Sequence, residues 1–248
     1  FVRSRGQSSV EISEQGRELL PILNKIKQLN DKALDIKNSG QQFQIKIATS
    51  DGPYLTVIDS AIEKLIKMNK KMTFNLKNMH YKECVDAISN DITDVAFIGS
   101  HIHHRHVNIL PFYEEHMVFI CRSGLIARST VDPAALDPSQ GIYSSYSFEF
   151  SLWFKSIFNN RRALIHCDLI SQVKRFIETL DLWSIVPYSV AKYIGRDIDI
   201  SICQLTQKPP NRLIYYAIKP TNINPAVYEL MNCIRVELRN DENISLFE

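Results

Sequence analysis

Four histidines fall within six residues, and they are the strongest candidate metal ligands in the sequence: His101, His103, His104 and His106. A His-x-His pair on an extended loop can chelate zinc, nickel or copper. A metal site also needs preset geometry and supporting hydrogen bonds around its ligands, which a loop rarely supplies. We therefore interpret this segment as a solvated polar loop and predict no metal or cofactor, with a metal-sensing role as the alternative.

Polar side chains also follow several apolar segments, where strands are expected to end. Ser50 and Asp51 stand before a helix that opens at Pro53, and Ser144 and Ser145 stand before another helix. Hydroxyls and unpaired helix N–H groups then face one cleft and could hold a polar ligand. The predicted ligand-binding residues are Thr49, Ser50, Asp51, Gly99, Ser100, Ser144, Ser145 and Pro187. The negative charge of Asp51 argues against a strongly anionic ligand and favours a small polar metabolite with donor and acceptor groups.

The sequence contains no glycine-rich phosphate loop, nucleophile elbow or zinc-protease motif. The segment Gly141-Ile142-Tyr143-Ser144-Ser145 lacks the second glycine of a nucleophile elbow. Acidic and basic residues are present, but nothing in the sequence places them together. We therefore predict a binding protein and not an enzyme.

Alternating strand and helix patterns would position these groups. An alternating strand at 44–48 leads through the polar turn into a helix with apolar residues at helical spacing. A second strand at 72–79, a helix at 81–90 and an apolar strand at 94–98 complete a parallel α/β unit, whose ligands sit at the carboxyl ends of the strands. Two further strands are expected at 107–112 and 115–121. A looser copy of the unit follows, with strands at 141–143, 163–167, 183–186, 200–205 and 212–218, helices at 148–158 and 169–180 (Asp168 as N-cap), and a C-terminal helix at 225–236.

The composition is that of a globular protein, with 45% hydrophobic and 23% charged residues among 248. Its five scattered cysteines indicate reduced thiols in a cytoplasmic protein. No segment is long and apolar enough to span a membrane, and no secretion signal is visible at Phe1, so we expect no membrane partner. The net charge of +2 lies entirely within residues 1–37, which hold seven basic and five acidic side chains.

The helix expected after Ser13, a plausible N-cap, carries a narrow apolar seam. Its apolar residues alternate in steps of three and four, the register of a coiled coil, and Pro21 would bend the axis. A narrow seam on a polar helix predicts pairing with a second copy of the chain; the alternative is a helix lying on its own domain. The predicted dimerisation residues are Leu19, Ile22, Ile26, Leu29, Ala33 and Ile36.

The first 21 residues resemble one known family. Phe1 and Arg3, then Val10, Ile12 and Ser13, then Gly16 and the Leu19-Leu20-Pro21 run are similar to the wing and linker helix of LysR-type transcriptional regulators. Here Ile12-Ser13 replaces the usual leucine-threonine. The later strands resemble the same family over the rest of the chain, although Leu180, Asp181 and Leu182 occupy a region where the family usually shows two glycines.

The resemblance implies an α/β, two-lobed effector domain of the type II periplasmic-binding-protein kind, preceded by a long dimerisation helix and the wing remnant of a winged helix-turn-helix without its recognition helix. Its expected parts are a wing remnant at 1–12, a linker helix and hinge at 13–42, effector lobe I at 43–122 and 220–248, and effector lobe II at 123–219.

The implied function is transcriptional regulation by a homodimer or tetramer that binds an effector between its lobes. Arg3 and Arg5 would then contact DNA phosphates, which give affinity without sequence information. A stand-alone solute-binding protein of the same two-lobed fold is the alternative. That protein would be expected to carry a secretion signal and to lack the helical seam.

Overall fold

The computed structural model describes residues 12–38, 43–68, 72–222 and 224–247. Arg3, Arg5 and the wing prediction, apart from Ile12, lie outside the described residues. Of the hinge predicted at 38–42, residues 39–42 also lie outside them, and Asn38 is the last residue of the long helix. The described residues form one long helix followed by two β-sheets covered by helices.

The described residues form twelve strands and eight α-helices. The strands are β1 (Phe43–Thr49), β2 (Met72–Asn78), β3 (Val95–Ile98), β4 (Asn108–Glu115), β5 (Met117–Arg122), β6 (Thr130–Val131), β7 (Gly141–Tyr143), β8 (Ile165–His166), β9 (Trp183–Pro187), β10 (Ile200–Leu205), β11 (Arg212–Ile218) and β12 (Ile244–Leu246). The helices are α1 (Glu14–Asn38), α2 (Asp51–Pro53), α3 (Asp59–Met68), α4 (Tyr81–Ser89), α5 (Phe148–Ile157), α6 (Ile170–Thr179), α7 (Tyr188–Ile194) and α8 (Pro225–Arg239). A π-helical stretch at Tyr54–Ile58 joins α2 to α3.

The long helix α1 begins where the sequence predicts, because Ser13 caps it: the Gly16 N–H donates to the Ser13 Oγ at 3.1 Å. Four predicted seam residues lie on described parts of the helix and remain about half exposed in the single chain. The exposed fractions are 49% for Leu19, 55% for Ile22, 56% for Ile26 and 59% for Leu29. The side chains of Ala33 and Ile36 lie outside the described residues, and pairing of two chains through this seam stays a prediction.

The first sheet has the strand order β12-β4-β11-β3-β1-β2, and the second has the order β6-β10-β5-β9-β7-β8. In the first sheet β1 pairs in parallel with β2 and β3, as the α/β pattern predicts. Each sheet buries its own apolar clusters: Ile47 and Phe97 lie in a first-lobe core, and Phe119 and Trp183 in a second-lobe core. The chain therefore folds as two lobes.

The lobe boundaries differ from those we predicted. β5, which we had placed in lobe I at 43–122, pairs with β9 and β10 in the second sheet. β11, which we had placed in lobe II at 123–219, pairs with β3 and β4 in the first sheet. The chain crosses to the second lobe at His116 and returns between β10 and β11. The patterns locate strands correctly, but they do not say which strand pairs with which.

Most predicted elements match the observed ones to within one or two residues at their ends. The strand predicted at 163–167 is shorter, since only Ile165–His166 pairs. Three observed elements were not predicted from the sequence: β6, β12 and α7. The helix α7 follows directly on the buried strand β9.

Candidate functional site

A cavity of about 680 Å³ lies between the two lobes and is lined by polar groups from both. The first lobe contributes residues at the carboxyl ends of β1 and β3, where ligands of open α/β sheets bind. The second lobe contributes the turn before α5. Five predicted binding residues line this cleft: Ser50, Asp51, Gly99, Ser100 and Ser145.

The other three predicted binding residues, Thr49, Ser144 and Pro187, do not line the cleft. Thr49 is the last residue of β1; its side chain is buried, and its hydroxyl donates to the Ser50 carbonyl at 3.1 Å. Ser144 is buried, and Pro187 is buried at the end of β9, where it precedes α7.

The Asp51 carboxylate reaches across the cleft to the second lobe. Its Oδ2 accepts a hydrogen bond of 2.8 Å from the backbone N–H of Ile170, in the first turn of α6. We had predicted Asp168 as the N-cap of this helix, and that prediction is wrong: Leu169 is the N-cap residue. A carboxylate of the first lobe thus satisfies a free N–H of a second-lobe helix, and this bond ties the lobes together.

The sequence reading missed Arg212, which lies at the start of β11 and lines the same cleft. The residue is only 5% exposed. Its guanidinium packs on Gly52, where a Cβ atom would stand 2.6 Å from Nη2. The ring of Tyr146 lies 5.4 Å from the guanidinium carbon, within cation–π range. A single charged residue opening the apolar strand Leu213–Ile218 was the available signal.

The nearest counter-ion of Arg212 is Glu115, directly opposite it in the β4–β11 ladder. The Nη1–Oε1 distance is 3.6 Å, which is an ion pair but too long for a hydrogen bond. The Glu115 oxygens accept instead from Ser189 at the start of α7, 2.7 Å from its N–H and 3.0 Å from its hydroxyl. Burial raises the pKa of Glu115, and the charge of Arg212 opposes that rise. The Nε and Nη1 atoms of Arg212 are buried without a hydrogen-bond partner among the described residues.

Comparison with known proteins assigns the family. The family model for the LysR substrate binding domain matches residues 38–239. The chain belongs to this LysR family. No curated protein matches it in sequence.

Solved structures of other LysR-type regulators share the fold. Full-length OxyR from Pseudomonas aeruginosa superposes with a TM-score of 0.69 at 13% identity, over 94% of this chain and 79% of that one. Full-length CbnR in complex with its target DNA gives a TM-score of 0.68 at 16% identity, over 92% and 83%. The regulatory domain of MetR from N. meningitidis gives 0.63 at 15% identity, over 83% and 98%. The predicted two-lobed, periplasmic-binding-protein-like fold of a LysR effector domain is confirmed.

The four loop histidines of this LysR-family chain do not form a common metal-binding site in the structure. His101 packs against Tyr215, with ring centroids 5.4 Å apart. The His104 Nδ1 accepts from the His106 N–H at 3.2 Å, which occupies one potential metal-binding nitrogen. Across the residues that the structure describes, no three histidine, cysteine, aspartate or glutamate side chains could together hold a metal ion.

We expect the histidine loop to give no metal-specific stabilisation. Zinc or nickel should change the melting temperature of the parent chain by the same small amount as that of a variant with His101, His103, His104 and His106 all changed to alanine, because the loop lacks a preset ligand geometry. Differential scanning fluorimetry measures this, with His166→Ala as the control for weak binding to a surface imidazole. A metal-induced rise of many degrees that only the quadruple variant loses would establish metal sensing.

The cysteines of the LysR-family domain are all free, as the composition predicts. Burial raises the pKa of the Cys84 thiol to about 12 and that of the Cys121 thiol to about 11. Thiols with raised pKa values stay protonated at neutral pH and are poor nucleophiles.

Within the described part of the chain, no helix is long and apolar enough to cross a membrane.

Proposed function

We propose that this chain is the sensing part of a DNA-binding transcriptional regulator, and that a small polar metabolite binds between its two lobes. The observation that carries the proposal is the interlobe cleft, lined by Ser50 and Ser100 from one lobe and by Ser145 from the other. Membership of the LysR family supports a regulatory role for ligand binding. The site is for binding, and we assign it no catalytic step.

A ligand in this cleft would act through its contacts with both lobes. Hydroxyls from the first lobe and from the turn before α5 can engage one molecule only when the lobes are close. A ligand shifts the equilibrium toward the closed form by as much as its extra affinity for that form. The Asp51–Ile170 bond already joins the lobes near the cleft, so ligand contacts there act on an existing connection.

The regulator is proposed to work as a homodimer or tetramer in the cytoplasm, with DNA as its macromolecular partner and no membrane attachment. The half-exposed apolar residues of α1 support pairing with the helix of a second chain. A stand-alone solute-binding protein of the same fold would not need an exposed apolar seam. The structure of CbnR, which has the same fold, contains its target DNA, and this supports DNA as the proposed partner. Arg3 and Arg5 would contact DNA phosphates. We propose these residues as DNA contacts on the family resemblance alone.

The cleft hydroxyls should contribute measurably to ligand affinity. Screening the chain against small polar metabolites by thermal shift selects a ligand, and calorimetry then compares the variants. Ser50→Ala and Ser145→Ala should each weaken binding by about 1 kcal/mol, because each removes a neutral hydrogen bond. Neither change should alter fold stability much, since both side chains border the cleft.

The matched control is Ser245→Ala, which removes an exposed hydroxyl on β12, outside the cleft lining. It should leave affinity unchanged. If both cleft variants bind the selected ligand as tightly as this control, the ligand binds elsewhere on the protein.

A further inference from the structure

We propose that the ligand of the interlobe cleft carries a carboxylate group and that the guanidinium of Arg212 binds it. This inference rests on the proposed function, since it names the chemical class that the cleft takes. It also assigns a binding role to a residue that the sequence patterns did not indicate.

Part of the hydrogen-bonding capacity of Arg212 is unused among the described residues. The side chain is buried, yet its Nε and Nη1 have no hydrogen-bond partner in the described part of the chain. Buried polar groups are normally bonded, and an orphaned donor is costly unless a ligand or water supplies the acceptor. Arg212 lines the cleft, so an acceptor that binds there lies next to the guanidinium.

Glu115 offsets the charge of Arg212 but does not satisfy its donors. Its oxygens bond to the backbone N–H and hydroxyl of Ser189, and its nearest oxygen stays 3.6 Å from Nη1. The pair therefore keeps a buried cation in place while Nε and Nη1 keep no hydrogen-bond acceptor among the described residues. This division suits a binding site, because the counter-ion stabilises the empty protein without blocking the ligand.

The guanidinium is also held in position before any ligand binds. Gly52 lets it approach the backbone of the first lobe, since a Cβ there would stand 2.6 Å from Nη2. The Tyr146 ring of the second lobe lies 5.4 Å from its central carbon. A planar fork fixed between two lobes matches the geometry of a carboxylate and loses little further side-chain freedom on binding.

The remaining charges of the cleft limit the ligand to a single carboxylate. Asp51 and Asp168 also line it, and a second anionic group would be repelled by them. Asp51 directs one oxygen to the Ile170 N–H, which lowers its conflict with an anion at Arg212. The side chains of Tyr146 and Phe148 offer apolar surface to the rest of the ligand. The serine hydroxyls that line the cleft can form hydrogen bonds with hydroxyl or amino groups of the ligand.

The test is a panel of short 2-hydroxy and 2-amino acids, phenylacetate and phenylpropionate, each beside its primary amide, together with sulfate and phosphate. Thermal shift selects binders of the whole chain, and calorimetry measures their affinity. We expect carboxylates to bind and their amides to bind at least tenfold more weakly, because the amide loses a charge-assisted pair.

Two variants test the role of Arg212 without removing its charge. Arg212→Lys keeps a positive charge beside Glu115 but lacks the planar guanidinium. Gly52→Ala displaces the guanidinium, because the added Cβ would lie 2.6 Å from Nη2. Each should weaken carboxylate binding about tenfold or more while the chain stays folded by circular dichroism. Ser245→Ala serves again as the control. Any of three results would overturn the inference. No carboxylate in the panel binds, both variants bind the carboxylates as tightly as the parent chain does, or sulfate or phosphate binds as tightly as the carboxylates.

Failure of the inference and failure of the proposed function give different results. Ser145→Trp places a large side chain in the cleft from an exposed position. One result would overturn the carboxylate assignment and leave the cleft as the sensing site. In that result, neutral ligands bind the parent chain, do not bind Ser145→Trp, and bind Arg212→Lys as tightly as the parent chain. Ligands that bind Ser145→Trp unchanged would contradict both.

Discussion

Replacing Glu115 by alanine is expected to destabilise the chain by roughly 3–5 kcal/mol, the cost of breaking a buried ion pair by removing one partner. The carboxylate lies at 1% exposure beside Arg212, so its loss leaves a buried cation uncompensated. It also leaves the Ser189 N–H at the start of α7 without its acceptor. Urea unfolding followed by circular dichroism measures the change in the free energy of unfolding.

Glu114→Ala is the matched control, because Glu114 is the preceding residue of β4 and is only partly buried. Its removal should change stability by no more than about 0.5 kcal/mol, as for most surface substitutions. Replacing both members of the pair, Glu115→Met with Arg212→Met, should cost clearly less than the sum of the two single changes, because no charge is then left alone. Equal losses for Glu115→Ala and Glu114→Ala would show that the pair does not contribute to stability.

Replacing Leu29 by aspartate is expected to convert a dimer of the chain into monomers. Leu29 is 59% exposed in the single chain and belongs to the predicted α1 seam. If that seam pairs with a second copy, the substitution buries a charge in an apolar interface, at a cost of several kcal/mol when unpaired. Sedimentation equilibrium should then report roughly half the parental mass at micromolar concentration.

The control for this change is Asn24→Asp, which adds the same charge to α1 off the predicted seam. It should leave the mass at the parental value. A dimer that persists in Leu29→Asp would mean that the seam is not the principal contact between chains.

Local sequence signals were sufficient for most of the fold. The alternation in β1, the turn at Ser50 and Asp51 and the helix after Pro53 are all readable within a few residues. The short helix α7 was missed because it follows the buried strand β9 without a polar turn, and its seven residues are too few to display a clear helical period. The lobe boundary was misplaced because β4 and β5 are separated by one residue, His116, and strand partners depend on distant sequence.

The candidate site was readable only where it is local. Ser50 directly follows β1, Ser145 lies two residues after the end of β7, and both line the cleft. The interactions of Asp51 with Ile170 and of Arg212 with Glu115 join residues far apart in the chain. No periodicity or spacing reveals such partners, and the direction of a single side chain, as at Thr49, is fixed by packing. Charge in an otherwise apolar strand is the one sequence feature that points to Arg212.

The central claim, that a small ligand is sensed between the lobes, is tested most directly by calorimetric titration of the ligand selected by thermal shift. The parent chain and Ser145→Trp are compared, with Ser245→Trp on β12 as the control for an added indole. We predict one ligand bound per parent chain, unchanged binding in Ser245→Trp and no detectable binding in Ser145→Trp. Equal affinity and stoichiometry in Ser145→Trp and the parent chain would contradict the claim.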